Sequence, residues 1–383
     1  MLRIKSFITV YFALTVLYFA QSSIFGENSG VGLILILLIL AVNAFYIGRY
    51  ILDTKKTNFL NANLAFILLN LVYYLIDRLF LHNIAPEMSF SFLKNVLLAL
   101  TYSFTLYYWG LKGIDIKWIL ISYATIVALF GIYTFGNENI EYLNQQMQSN
   151  IGYIFVTLLP YVFLLNKHKL LMLPAAFMLN ILVVMSAKRG AIVCTGLFDL
   201  LFIYYLINVR GGKYELLKKL FIILSLIYGL WMLYEFISND LFLLQRFNDL
   251  NKGNSSGRDI IYGAIINAWT NKYDWYQIIF GQGFCATPLI TGSLFAHNDW
   301  LELLADMGLL GIIFYFVFIV ALFKTAIRYR GALNVKLMLL SVAILWFAQT
   351  LFSMSYMDQD SYKYLILVGY FSGFRMHSGK RIN

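Results

Sequence analysis

The side chains able to do chemistry in this chain stand at the edges of long apolar runs. Ala296-His297-Asn298-Asp299 leads through Trp300-Leu301-Glu302 into Asp306-Met307-Gly308-Leu309-Leu310-Gly311. A neutral imidazole at His297 could accept a proton from a hydroxyl; the same residue could equally be a hydrogen-bonded interfacial histidine. Asp299 and Glu302 have the three-residue offset of a capping box, which puts His297 at or just outside a helix start. A helix N-terminus and nearby arginines would disfavour the imidazolium, whereas Asp299, Glu302 and Asp306 would favour it. The local sequence leaves its charge open.

Cations are the second theme. Lys188-Arg189 lies in Ser186-Ala187-Lys188-Arg189-Gly190, a short interruption between two apolar runs. Two readings stand: the long stems snorkel to water, or the charges meet an anionic ligand, for which the planar arginine fork suits a phosphate. Arg258 precedes Ile260, Ile261, Ala264, Ile265, Ala268 and Trp269, a helical stripe expected to lie flat at a membrane surface or pack over a bundle. Arg258 could serve anions at that helix start or pair with Asp259. Gly281-Gln282-Gly283 lacks the rest of any nucleotide fingerprint and reads as a tight turn. Asp199 lies inside an apolar run, where an ionisable group needs a partner; it suits a buried hydrogen bond or a transporter. No metal-ligand spacing, phosphate loop or nucleophile elbow occurs, and Cys194 and Cys285 form no disulfide framework.

The elements positioning these residues follow from composition. Hydrophobic residues make up 61% of the 383 and charged residues 13%, with a mean hydropathy of +0.72. This excludes an ordinary globular domain and predicts an all-α polytopic membrane protein. Met1 to Lys5 and the apolar run after them resemble a secretory signal peptide. No small-x-small cleavage site precedes Gln21, so this run is the first span. Further spans are expected near 31–52, 59–80, 90–111, 114–136, 151–165, 170–187, 190–208, 217–238, 303–323, 335–353 and 361–376, about twelve in all.

Loop charge supplies a topology. Most of the 29 basic residues fall in alternate loops, at Arg49, Lys55 and Lys56, Lys112 and Lys117, Lys167 and Lys169, 210–219, 324–336 and the C-terminal tail. The positive-inside tendency therefore places both termini in the cytoplasm. It also explains the net charge of +10 without nucleic acid. Lys363 falls with the outward set. The outer loops are 137–150, read as a solvated segment, and 239–296, a large external loop with short amphipathic helices inside one polytopic domain, 1–383.

Taken together, Ser186 to Gly190 with Arg189, Ser256-Gly257-Arg258 before its amphipathic helix, Phe280-Gly281-Gln282-Gly283-Phe284, and Ala296-His297-Asn298 leading to Gly311 resemble the O-antigen polymerase and O-antigen ligase family of bacterial envelope glycosyltransferases. The resemblance implies a GT-C-like membrane fold in the bacterial inner membrane, with its active site facing the periplasm and no metal or other cofactor. It implies undecaprenyl-diphosphate-linked oligosaccharides as substrates, with a flippase and a chain-length regulator as partners. It further implies that Arg189 and Arg258, with Lys188 beside them, hold the donor diphosphate. His297 would orient or deprotonate the acceptor hydroxyl, and Asn298 and Asp299 would shape its surroundings. Polymerase is the expected activity. A ligase acting on lipid A core or protein, an exporter of lipid-linked oligosaccharide relying on Asp199, and a noncatalytic assembly partner are the alternatives.

Overall fold

A computed structural model describes residues 2–25, 29–142, 151–186, 188–208, 234, 258–292 and 294–379. Apart from Tyr234, the expected span 217–238 lies outside the described residues, as do residues 143–150 and 239–257, including Ser256 and Gly257. Within them, every regular element is helical. The long ones are α1 (Leu2–Phe25), α2 (Gly30–Leu52), α3 (Asn58–Ile76), α4 (Pro86–Leu111), α5 (Lys117–Tyr142), α6 (Ile151–Leu158), α7 (Lys169–Met185) and α8 (Arg189–Asn208). Then come the shorter α9 (Arg258–Asn271), α10 (Trp275–Phe280) and α11 (Thr287–Thr291), followed by α12 (Asp299–Ile327), α13 (Leu333–Phe352) and α14 (Tyr362–Gly379).

Among the described residues, six helices are long and apolar enough to cross a membrane: Gly30–Leu52, Asn58–Leu81, Lys117–Gly136, Arg189–Asn208, Asp299–Ile327 and Leu333–Phe352. Their outward faces carry Phe45, Leu79, Phe80 and Leu200, each about two-thirds exposed or more. Such side chains call for an apolar solvent around the bundle, so the chain is an α-helical membrane protein. The starts are fixed locally. Ser29 accepts from Gly32 N–H to cap α2, Thr57 accepts from Leu60 N–H to cap α3, and Pro86 opens α4.

Without a strong hydrophobic drive between helices in lipid, close backbone contact and buried hydrogen bonds must hold them. Both occur around α4. A Cβ at Gly373 of α14 would come within 2.0 Å of the Tyr107 carbonyl oxygen, and one at Gly369 within 2.3 Å of that of Ser103. On its other side, Asn43 of α2 accepts from Tyr11 and Thr105 at 2.6 Å and donates to Thr101 at 2.9 Å. Lys363, grouped with the outward cations by position, is fully buried. It pairs with Asp360 and lies 5.1 Å from the Phe19 ring.

The connections separate to two ends. At one, Tyr107 Oη donates to Lys55 O, Tyr370 Oη to Ile114 O and Lys117 Nζ to Asn166 Oδ1. Phe7 of α1 meets Trp109 there, and His377 of α14 meets Leu111. The first and last helices therefore begin and end together. At the other, Tyr18 donates to Gln359, Asn83 to Gln282 and Asn298 to Leu351.

Candidate functional site

The site is built on a break in α12. At Gly308 the backbone takes φ 58° and ψ −151°. Gly281, at the end of α10, adopts φ 70° and ψ −161°, a region essentially confined to glycine. The two glycines face each other. A Cβ on Gly308 would lie 2.6 Å from Gly281 N, and one on Gly281 would lie 2.4 Å from the Asp306 carbonyl. Gln282 N–H donates to Ala305 O at 2.9 Å and Gly283 N–H to Asp306 O at 2.8 Å. Gly281-Gln282-Gly283 is thus a turn docked on the kink, secured to α3 through Tyr73 and to the segment after it through Asn83.

Before the kink, Asp299, Glu302 and Asp306 are all fully buried. Each holds a different loop. Asp306 accepts from the N–H groups of Cys285, Ala286 and Thr287 at 3.0, 2.8 and 3.1 Å. Glu302 accepts from Ala296 N–H and lies against that of His297. Asp299 accepts from Tyr315 Oη at 2.5 Å and lies against the N–H groups of Ser355 and Tyr356. The expected Asp299–Glu302 capping box is therefore absent. Asn298 is the cap, accepting from Trp300 and Leu301 N–H at 3.0 and 3.2 Å. Asp299 is buried and anchors the site's walls.

His297, immediately before that cap, has a left-handed φ of 51°. Its ring keeps solvent access. The protein packed around it, then Arg258, then Lys188, lower the imidazole pKa below its ordinary value. The neutral ring predominates at neutral pH.

Arg258 opens the described part of α9, whose Ile265 and Ala268 are buried and whose Ile261 and Tyr262 are half-buried. Ile265 packs with Ala296 and Ala305, bringing α9 over the first half of α12. Ile260, counted in the stripe, is 75% exposed instead. Arg258 also lies within electrostatic reach of Tyr153 on α6. Lys188 immediately precedes α8 and Arg189 is its first residue, both half-buried. Lys188 and Arg258 thus lie within electrostatic reach of His297, with Asn298 adjacent to it in the chain. Arg189 enters through its position beside Lys188, and its charge is not among those acting on His297.

Two features had no signal in the sequence. Tyr153 is buried on α6 and donates to Phe352 O at 3.4 Å. In an apolar run it reads as core. Ser355 and Tyr356 contribute their backbone to the Asp299 anchor, and nothing in their residue types announces it. Asp199, by contrast, receives Asn180 Nδ2 of α7 at 2.9 and 3.0 Å. Burial pushes the Cys285 thiol up, away from thiolate chemistry. Among the described residues no group of three His, Cys, Asp or Glu side chains is arranged to hold a metal. No family model matches the chain, and no curated protein matches it.

Proposed function

We propose that this protein is a GT-C-like membrane glycosyltransferase of about twelve spans. It polymerises undecaprenyl-diphosphate-linked oligosaccharide repeats on the periplasmic side of the bacterial inner membrane, with both termini cytoplasmic. The observation that carries this reading is the meeting of Lys188 and Arg258 with a neutral, solvent-accessible His297. The sequence resemblance supports it. In this reaction the acceptor hydroxyl of one lipid-linked repeat attacks the anomeric carbon of the growing glycan. The bond from that carbon to the diphosphate oxygen breaks, and the hydroxyl proton passes to His297. Lys188 and Arg258, with Arg189 beside them, hold the diphosphate as it departs with its negative charge. Preorganised charge of this kind contributes on the order of 3 kcal/mol per contact to the transition state.

The test uses the full-length protein in lipid with a polyprenyl-diphosphate oligosaccharide, resolving products by size. Wild type should give a ladder of longer lipid-linked glycans, which His297→Asn should abolish and Arg258→Gln should reduce by about a hundredfold. Transfer only to a lipid A core or protein would make the enzyme a ligase. Transbilayer movement without new glycosidic bonds, lost in Asp199→Asn, would replace the enzyme reading with an exporter. Asn180 Nδ2 donates to both oxygens of Asp199 across α7 and α8, which favours a packing role for the carboxylate.

A further inference from the structure

At the end of the bundle away from His297, a cavity of about 200 Å³ opens between α2, α4 and α14. Arg49, Asp53, Lys55, Tyr108, Lys112 and His377 contribute to its lining. Its volume is several times the roughly 30 Å³ share of one water. The walls are fixed by contacts that leave the cations available. Asp53 accepts from Tyr108 Oη and Lys55 N–H, both at 3.1 Å. Tyr107 Oη donates to Lys55 O at 3.2 Å, and His377 Nδ1 donates to Leu111 O at 3.0 Å. The Arg49 guanidinium lies 4.8 Å from the centroid of the Tyr108 ring, a stacking that orients its fork.

Charge decides what such a cavity would take. Among the described residues, Asp53 is the only carboxylate in its lining. Among the described residues, no carboxylate forms an ion pair with Arg49, Lys55 or Lys112. Position narrows the choice further. Arg49 lies in the last turn of the apolar helix α2, where Ile51 and Leu52 are 51% and 87% exposed. That is the depth at which a membrane helix meets lipid headgroups, and basic pockets between helix ends suit their phosphates.

We propose that this cavity is a phosphate-binding site, its ligand chemistry supplied by the phosphodiester of an anionic lipid headgroup or by free inorganic phosphate. Arg49 offers its fork, and Lys55 and Lys112 supply point charges on either side. The site is separate from the proposed donor-diphosphate site and does not depend on it.

Full-length protein is titrated with phosphatidylglycerol, phosphatidylcholine and inorganic phosphate, and bound species are counted by native mass spectrometry. Wild type should prefer one phosphatidylglycerol over phosphatidylcholine by about tenfold, or bind inorganic phosphate at that site. The double variant Arg49→Gln, Lys112→Gln should lose that binding, while Lys272→Gln, on the external stretch, should retain it. Phosphatidylglycerol held against excess inorganic phosphate would assign the lipid as the source; its displacement would assign the free ion. Lys55→Gln repeats the test if the double variant loses its fold, since the Lys55 wall contacts are made by backbone. Equal binding of both lipids with no bound phosphate would overturn the proposal and leave these cations only to offset the C-terminal dipoles of the helices. Equal loss in Lys272→Gln would overturn it as well, because net charge alone would then explain the preference.

Discussion

At His297 the decisive quantity is charge. Arg258 and Lys188 both favour the neutral ring, so replacing either by Gln lets the proton bind at higher pH. The acid limb of kcat/KM should therefore move to higher pH in both variants, making their loss against wild type larger near pH 6 than near pH 8. A pH–rate profile checks this, and an unmoved limb would detach the cations from His297. Arg258→Lys should keep the limb in place while lowering the rate, because it preserves charge without the bidentate fork. The same electrostatics predict a response to substrate. A diphosphate bound between the cations compensates them, so pyrophosphate should raise the imidazole pKa, as read from the histidine NMR signal assigned through His297→Asn. The donor would then make its own base stronger upon binding.

Among the elements, the kinked start of α12 carries the site. Gly308→Ala must accommodate both an unfavourable backbone conformation and a Cβ 2.6 Å from Gly281 N. A cost of about 2–4 kcal/mol is expected, with activity lost as the docked turn shifts. Asp306→Ala strands three buried N–H groups at Cys285, Ala286 and Thr287 and should cost about 3 kcal/mol or more. Thermal unfolding of the solubilised protein tests both. The glycine-rich turn was legible from Gly281-Gln282-Gly283, and so was a helix start near His297. Its partner at Gly308 was not, because a glycine within an apolar helix can mark either a kink or a close contact. Nor was the role of the three carboxylates. Spacing along one helix face says which residues share a direction, while the loops they hold arrive from distant parts of the chain.

For the molecule as a whole, apolar length and composition made the helical membrane architecture legible, because lipid imposes the same rule on each spanning segment. Pairing was harder to read. Tyr153 and Arg258 are brought together by tertiary packing, and the burial of Lys363 against Asp360 is packing that its loop position does not show. The proposed orientation has a direct check. Cys194 and Cys285 are both buried, so the native background should stay dark to a membrane-impermeant maleimide. Lys55→Cys should label only from the cytoplasmic side and Lys272→Cys only from the periplasmic side. Labelling of both from one side would invalidate the topology.

The backbone at His297 has a consequence for which variants survive. With φ at 51°, this position asks an L-residue to occupy a conformation that glycine adopts freely, a difference on the order of 1 kcal/mol. His297→Gly should therefore melt at a higher temperature than His297→Ala, and as high as wild type or higher, while being equally inactive. Selection for thermal robustness alone would drift toward glycine here; keeping histidine requires selection on turnover.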